Sequence, residues 1–393
     1  MKRYIVAPLM FGAACARAPH ADLAASGAPP TATAVFPAPP ASSPPPPAAS
    51  ESAAAASSAA ASVTPEAPEP LEGADFIAQA RVLFRVGVCG PAGDVPAAFD
   101  PAVIARNCDD LGKAYDEYRK DWVDVARPVL GALQPKDLPR AVVYPFGGGD
   151  LSSALTTFPD AAEITTISLE PAGDVRPIEK LAPERLGREL AVHRAHLERL
   201  FEKAHSRTEN LEKESKTELP GEILFALGAL VVHGDEPVSL RYFRLRPDGT
   251  VSYVTTEDID ALAHKPREQR ALFDDVELRF RASGDAGAPV QVLRHIGFNL
   301  DDAHLKADPS LLAYLSAKGK VAAMTKAASH LLWSDQFTMI RGWLLEHTDW
   351  MVSDSTGVPP RFAQPAGFLQ ETYGKFTGPA PFGLLDGRDA DDF

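Results

Sequence analysis

The residues best suited to chemistry fall in a few short polar stretches. The first is Gly147-Gly148-Gly149-Asp150, entered from Tyr144-Pro145-Phe146 and followed about 20 positions later by Glu170. Glycines let a ligand approach backbone N–H groups at the start of a helix. An acid closing the next strand is where a Rossmann-like unit grips a ribose. Two features oppose a nucleotide: the spacing is not G-x-G-x-x-G, and Asp150 would repel a pyrophosphate at that helix start. A tight turn capped by Asp150 accounts for the same residues, as does a site for another kind of ligand. No cofactor is expected.

The second stretch is Ser353-Asp354-Ser355-Thr356-Gly357-Val358-Pro359. Asp354 and Ser355 offer a base and a nucleophile, but a triad also needs a histidine in reach, and His295, His330 and His347 are the candidates. There is no G-x-S-x-G elbow. Small residues around Gly357 also suit a turn whose side chains bond their own backbone. The third stretch, Tyr373-Gly374-Lys375-Phe376-Thr377, puts Tyr373 and Lys375 on a glycine-hinged segment, either a pocket lid or a packed C-terminal strand. Glu189, His193 and His196 stand a helical turn apart, but the spacing is not H-E-x-x-H and His193 lies on an apolar stripe. They read as packed or solvated side chains, and no metal site is expected.

The elements that position these residues follow from periodicity. Asp109 or Asp110 can cap a helix carrying Leu111, Tyr115, Tyr118, Trp122, Ala126, Val129 and Leu133 at three- and four-residue spacing, with Pro128 kinking or splitting it. Ala141–Tyr144 reads as a buried strand, Leu151–Phe158 as a helix and Glu163–Leu169 as a second strand. A long amphipathic helix is predicted from Pro183 to Lys213, and a buried apolar helix over Ile223–His233. Val238–Leu245 and Thr250–Thr255 flank a Pro-Asp-Gly turn, and Val276–Ala282 and Val290–Asn299 read as another antiparallel pair. Helices are predicted again at Pro309–Lys318, Val321–Trp333 and Gln336–His347. The fold class is therefore α/β: one domain with a mixed sheet, a β-α-β start and an antiparallel continuation, flanked by helices.

Tyr144-Pro145-Phe146-Gly147-Gly148-x-Asp150, Leu169-Glu170-Pro171-Ala172-Gly173, Asp354-Ser355-Thr356-Gly357-Val358-Pro359 and Tyr373-Gly374-Lys375-Phe376-Thr377 together resemble a family of uncharacterised bacterial exported proteins and lipoproteins. The resemblance spans roughly Phe76 to Pro381, so it implies one family unit across the body. This chain has Gly149 where the family pattern has proline, and Ser355 where it favours a second Asp. The resemblance implies export and fold unity and brings no reaction with it.

Composition sets the address. Met1-Lys2-Arg3, the apolar Ile5–Ala14 and Gly12-Ala13-Ala14-Cys15 have the shape of a signal peptide over residues 1–17, with Cys15 as the lipidation site. An ordinary secretory signal is the alternative. Residues 18–73 are Ala, Pro and Ser, and 14 of the chain's 36 prolines lie in the first 73 positions. Such a segment buries too little apolar surface to offset its ordering entropy and is expected to be a disordered tether. Residues 74–393 form the folded domain, ending in an acidic tail. An exported chain would pair Cys89 with Cys108 in a disulfide. With 39 Lys+Arg against 53 Asp+Glu, net −14, the chain is no nucleic-acid binder unless it gathers a basic patch, and none is visible. The expectation is an envelope-anchored lipoprotein, touching the membrane through its lipid alone and binding an extracytoplasmic small molecule or envelope protein. The alternative is an enzyme: a hydrolase using residues 353–359, or a transferase using Gly147–Asp150 and Glu170.

Overall fold

In the computed structural model, which describes residues 72–203, 217–326, 331–354 and 357–372, Ala141–Pro145 forms the first strand, β1. Its two neighbours, β2 (Glu163–Ser168) and β7 (Val321–Thr325), both run parallel to it. Side chains alternate across a strand, so Val142 and Tyr144 enter one apolar core while Val143 enters another. In β7, Ala322 and Met324 oppose Val321 and Ala323; in β8 (Thr348–Ser353), Trp350 and Val352 oppose Met351. A strand buried on both faces is a continuous apolar run without a period of two. For that reason Val321–Trp333 reads as a helix in the sequence, whereas its first residues fold as β7, and β8 has no alternation to announce it.

Among the described residues the sheet has nine strands, in the order β4-β3-β5-β6-β2-β1-β7-β8-β9. β3 (Asp235–Leu245), β4 (Val251–Tyr253), β5 (Asp275–Ala282) and β6 (Gln291–Gly297) are successively antiparallel, and β6 then lies parallel to β2. β9 (Leu369–Thr372) adds a parallel edge beside β8. The architecture is thus α/β, one mixed sheet flanked by helices, with both expected hairpins in place.

The first face is covered by α1 (Ile77–Val82), α2 (Pro101–Tyr118), α3 (Asp124–Leu133), α4 (Leu151–Thr157), α5 (Pro183–Lys203) and α6 (Gly221–His233). α7 (Thr256–Ala261) adds Ile259 to the same core, and the short α8 (Pro266–Arg270) follows it. The second face carries α9 (Asp302–Ala307), α10 (Ser310–Ala317), α11 (Thr338–His347) and α12 (Pro360–Ala363). α2 begins earlier than its apolar spacing suggested. Asp100 caps it by accepting from Ala102 N at 2.8 Å, and Pro101 supplies a pre-set φ at the first position. The break expected at Pro128 comes earlier too, as a π turn over Arg119–Val123. Cys89 and Cys108 are joined in a disulfide with Cα atoms 5.3 Å apart, fastening the segment after α1 to α2. Among the described residues no helix is long and apolar enough to cross a membrane. The expected signal with Cys15, the tether, the end of the long helix beyond Lys203, His330, Ser355, Tyr373, Lys375 and the acidic tail lie outside the described residues.

Candidate functional site

The chain leaves β1 through α4 on the first face and reaches β2. Much later it arrives at β7, on the other side of β1, through α9 and α10 on the second face. Open α/β sheets bind ligands outside the carboxyl ends of the strands at such a reversal. Here the β1–α4 turn meets Lys326, the residue after β7. Phe146 (φ 63) and Gly148 (φ 49) both take left-handed backbone conformations in that turn. Phe146 is held there with its ring 5.9 Å from Phe337, against a conformational cost on the order of 1–3 kcal/mol. At Gly147 a Cβ would come within 2.5 Å of the Tyr144 ring, so glycine lets that ring fold over the turn.

Asp150 is fully engaged by this arrangement. It accepts from Tyr144 Oη at 3.1 Å, from Ser153 N at 3.2 Å and from Lys326 Nζ at 2.7 Å. Lys326 donates as well to Ser153 Oγ at 2.7 Å. Asp150 is therefore the N-cap of α4, and the anion site at that helix start is filled by the chain's own carboxylate. Both partners of the ion pair are 8% exposed. The crevice at the reversal is closed by a satisfied charge pair.

Asp354 follows β8, and its N–H donates to Thr325 O at 3.2 Å. Gly357 lies against Ser353, where a Cβ would stand 2.3 Å from Ser353 Oγ, and its carbonyl accepts from Trp333 Nε1 at 3.1 Å. Three strand spacings separate β8 from β2, roughly 14 Å at about 4.8 Å each, so Asp354 and Glu170 belong to different places on the edge. Of the candidate histidines, the two among the described residues, His295 and His347, do not join Asp354. His295 is on β6, four strands from β8. His347 closes α11 just before β8 begins, so the length of the strand separates it from Asp354.

Glu170 faces a different space, a cleft of about 1050 Å³ beyond the carboxyl end of β2. Its walls are the loop 170–174, a short 3₁₀ turn (Arg176–Lys180), α5, the start of α6, α7, α8 and Phe273-Asp274. The most distinctive group in it is Glu222, in the first turn of α6. It is 5% exposed, and neither carboxyl oxygen meets a hydrogen-bond partner. Burial, and then the charge of Glu170, push its pKa from the ordinary 4.5 up to about 8, so at neutral pH it is a carboxylic acid. His193, on α5, lines the same cleft, and neither of its ring nitrogens has a partner. Burial, and then neighbouring His196, lower its pKa from 6.5 to about 4.

Glu222 also links the cleft to the glycine turn. A small cavity of about 10 Å³ lies beneath Gly148 and Gly149, bounded by Glu222, Thr166 and His295, and it has room for about one water. A Cβ at Gly149 would stand 2.7 Å from Phe225 Cβ and 2.8 Å from Glu222 Oε2. The third glycine is thus required by the close approach of α6. His295 Nε2 lies 3.0 Å from Glu170 O and must carry the hydrogen, which leaves Nδ1 to accept from Thr166 Oγ1 at 3.1 Å. Burial keeps this imidazole neutral.

Of the residues singled out in the sequence, Tyr144, Gly147 and Asp150 meet in the reversal turn, with Phe146 and Gly148 shaping its backbone. Glu170 lies in the cleft, and Asp354 and Gly357 stand apart beyond β8. Lys326 and Glu222 went unnoticed. Lys326 was hidden inside a run read as helix. Glu222 did leave a trace, as the lone acid at the head of the apolar segment 223–233. Comparisons with protein-family models, with curated proteins and with solved structures find no match for this chain.

Proposed function

We propose that the folded body is an extracytoplasmic ligand-binding protein and that its ligand occupies the cleft walled by Glu170, His193 and Glu222. One observation carries this reading: Glu222, a lining residue of a space of about 1050 Å³, keeps both carboxyl oxygens buried and without a hydrogen-bond partner. An unmade hydrogen bond at a buried polar group costs about 1–3 kcal/mol. A site that retains two such side chains, Glu222 and His193, is organised for something other than its own stability. The Cys89–Cys108 disulfide supports an oxidising compartment, in keeping with the lipoprotein-like start of the chain and the resemblance to exported proteins. The transferase reading is disfavoured by the Asp150 carboxylate standing where a phosphate would sit. Binding is tested by a thermal-shift screen of the oxidised protein, with Glu222→Leu and Asp354→Ala beside the wild type. Stabilisation lost in the first variant and kept in the second places the ligand in the cleft. A ligand lost with Asp354 alone would refute it. Protease accessibility in intact cells, with labelled lipid on Cys15, tests the compartment and the anchor.

A further inference from the structure

The chain enters the described body as a strap laid along the edge of β3. Ala74 N donates to Val254 O at 2.9 Å and Phe76 N to Leu240 O at 2.8 Å. Asp75, between them, uses both carboxylate oxygens. Oδ1 accepts from Ile77 N at 3.0 Å and from Leu240 N at 3.1 Å, and Oδ2 accepts from Arg241 Nη2 at 3.1 Å. Arg241 is 6% exposed, and its Nε and Nη1 meet no hydrogen-bond partner. Among the described residues Asp75 is thus the one acceptor of a buried guanidinium. A half-lifted strap would leave that charge buried and alone, which is costlier than keeping it paired or exposing it to water. The strap therefore has two states, on and off, with little between them.

A short run of contacts carries the strap's position to the cleft. The Phe76 ring stands edge-on to Tyr242 at 5.3 Å and to Phe273 at 6.4 Å, and those two rings meet at 4.7 Å. Tyr242 Oη donates to Gly173 O at 2.6 Å and accepts from Val175 N at 3.1 Å. Phe273 O accepts from Gly173 N at 2.9 Å, and the Arg176 guanidinium lies 4.4 Å over the Phe273 ring. Farther along α1, Gln79 Nε2 donates to Glu179 Oε1 at 2.7 Å. Gly173, Arg176, Glu179 and Phe273 all line the cleft. We propose that the strap and this wall of the cleft form one switch: with Asp75 on Arg241 the wall from Gly173 to Glu179 is held, and with the strap lifted it loosens. The functional consequence rests on the ligand-binding reading above. A ligand that needs the held wall pins the strap, and lifting the strap weakens that ligand by the same factor. The chain before Gly73, expected to be a tether, would then carry the state of the cleft to whatever it is fixed to.

The test is hydrogen exchange read by mass spectrometry on the full chain with no ligand added. Peptides are followed from the strap and α1 (74–82), from the cleft wall (171–180) and from β8 (348–353), which lies toward the other end of the sheet. Asp75→Ala is compared with the wild type. The expected result is exchange faster by about tenfold in the strap and in the wall together, with β8 unchanged. A strap that speeds up while the wall does not overturns the proposal, and so does a strap that does not respond. If Asp75→Ala speeds exchange in β8 as well, the whole fold has loosened, and Tyr242→Phe decides from the other end. That variant keeps the ring and removes only the hydroxyl that holds Gly173 and Val175. Exchange that rises relative to β8 in both the wall and the strap upholds the switch. A wall that loosens beside an unchanged strap, or no rise relative to β8, overturns it. A negative result removes the coupling alone, because the thermal-shift screen tests the ligand site separately.

Discussion

Replacing Glu222 by Gln should change how stability depends on pH, and the size of the change follows from the structure. In the unfolded chain the carboxyl loses its proton around the ordinary pKa of 4.5, whereas in the fold it keeps it up to about 8. Between those values the folded state binds more protons than the unfolded state, so stability falls as pH rises. Each pH unit within the interval costs about 1.4 kcal/mol. From pH 5 to pH 7 the wild type should lose about 3 kcal/mol relative to the variant, a relative Tm difference of roughly 4–5 °C for a body of this size. Above pH 8 the two profiles should run parallel. Urea unfolding at pH 5, 6, 7 and 8 measures the difference directly. The other shifted groups, among them Asp235, Asp275 and His193, are present in both proteins and cancel. A wild-type-minus-variant difference that stays constant from pH 5 to pH 8 would falsify the burial of a protonated Glu222.

Further outcomes follow from other contacts. Lys326→Met strands the buried Asp150 carboxylate and should cost about 3–5 kcal/mol, measured by urea unfolding. Adding Asp150→Asn should return part of that loss, and strictly additive effects would refute the ion pair. Opening the Cys89–Cys108 bond frees a loop closed across 19 positions and should lower stability by about 3 kcal/mol; an unchanged melting curve under reductant would count against the bond. Gly149→Ala forces a methyl into Phe225 and Glu222 at 2.7–2.8 Å and should cost about 1–3 kcal/mol. A neutral result there would mean that α6 does not pack on the glycine turn.

Periodicity and turn chemistry carried much of this fold on their own. Leu186, Leu190, His193, Leu197 and Leu200 are the buried face of α5, as their spacing requires. The Pro247-Asp248-Gly249 turn joins β3 to β4, with Gly249 at φ +82 and Asp248 accepting from Thr250 N at 2.9 Å. The Gly-Asp turn after β1 was legible as a helix cap, because a capping aspartate bonds within its own neighbourhood. β7 and β8 were not legible, because a strand covered on both faces has the same apolar content as a buried helix.

What the sequence alone determined is local: where chains turn, which helix faces are apolar, which residue caps α4, and that one α/β body follows an Ala/Pro/Ser-rich start. Only the tertiary structure decided which distant groups meet. Asp150 and Lys326 are 176 positions apart, yet they close the crevice because β1 and β7 are adjacent in the sheet. Glu170 and Glu222 share a cleft because α6 packs on the turn that begins α4. Pairings of that kind depend on strand order and helix placement, which are set by burying two cores at once, and no spacing along the chain encodes them.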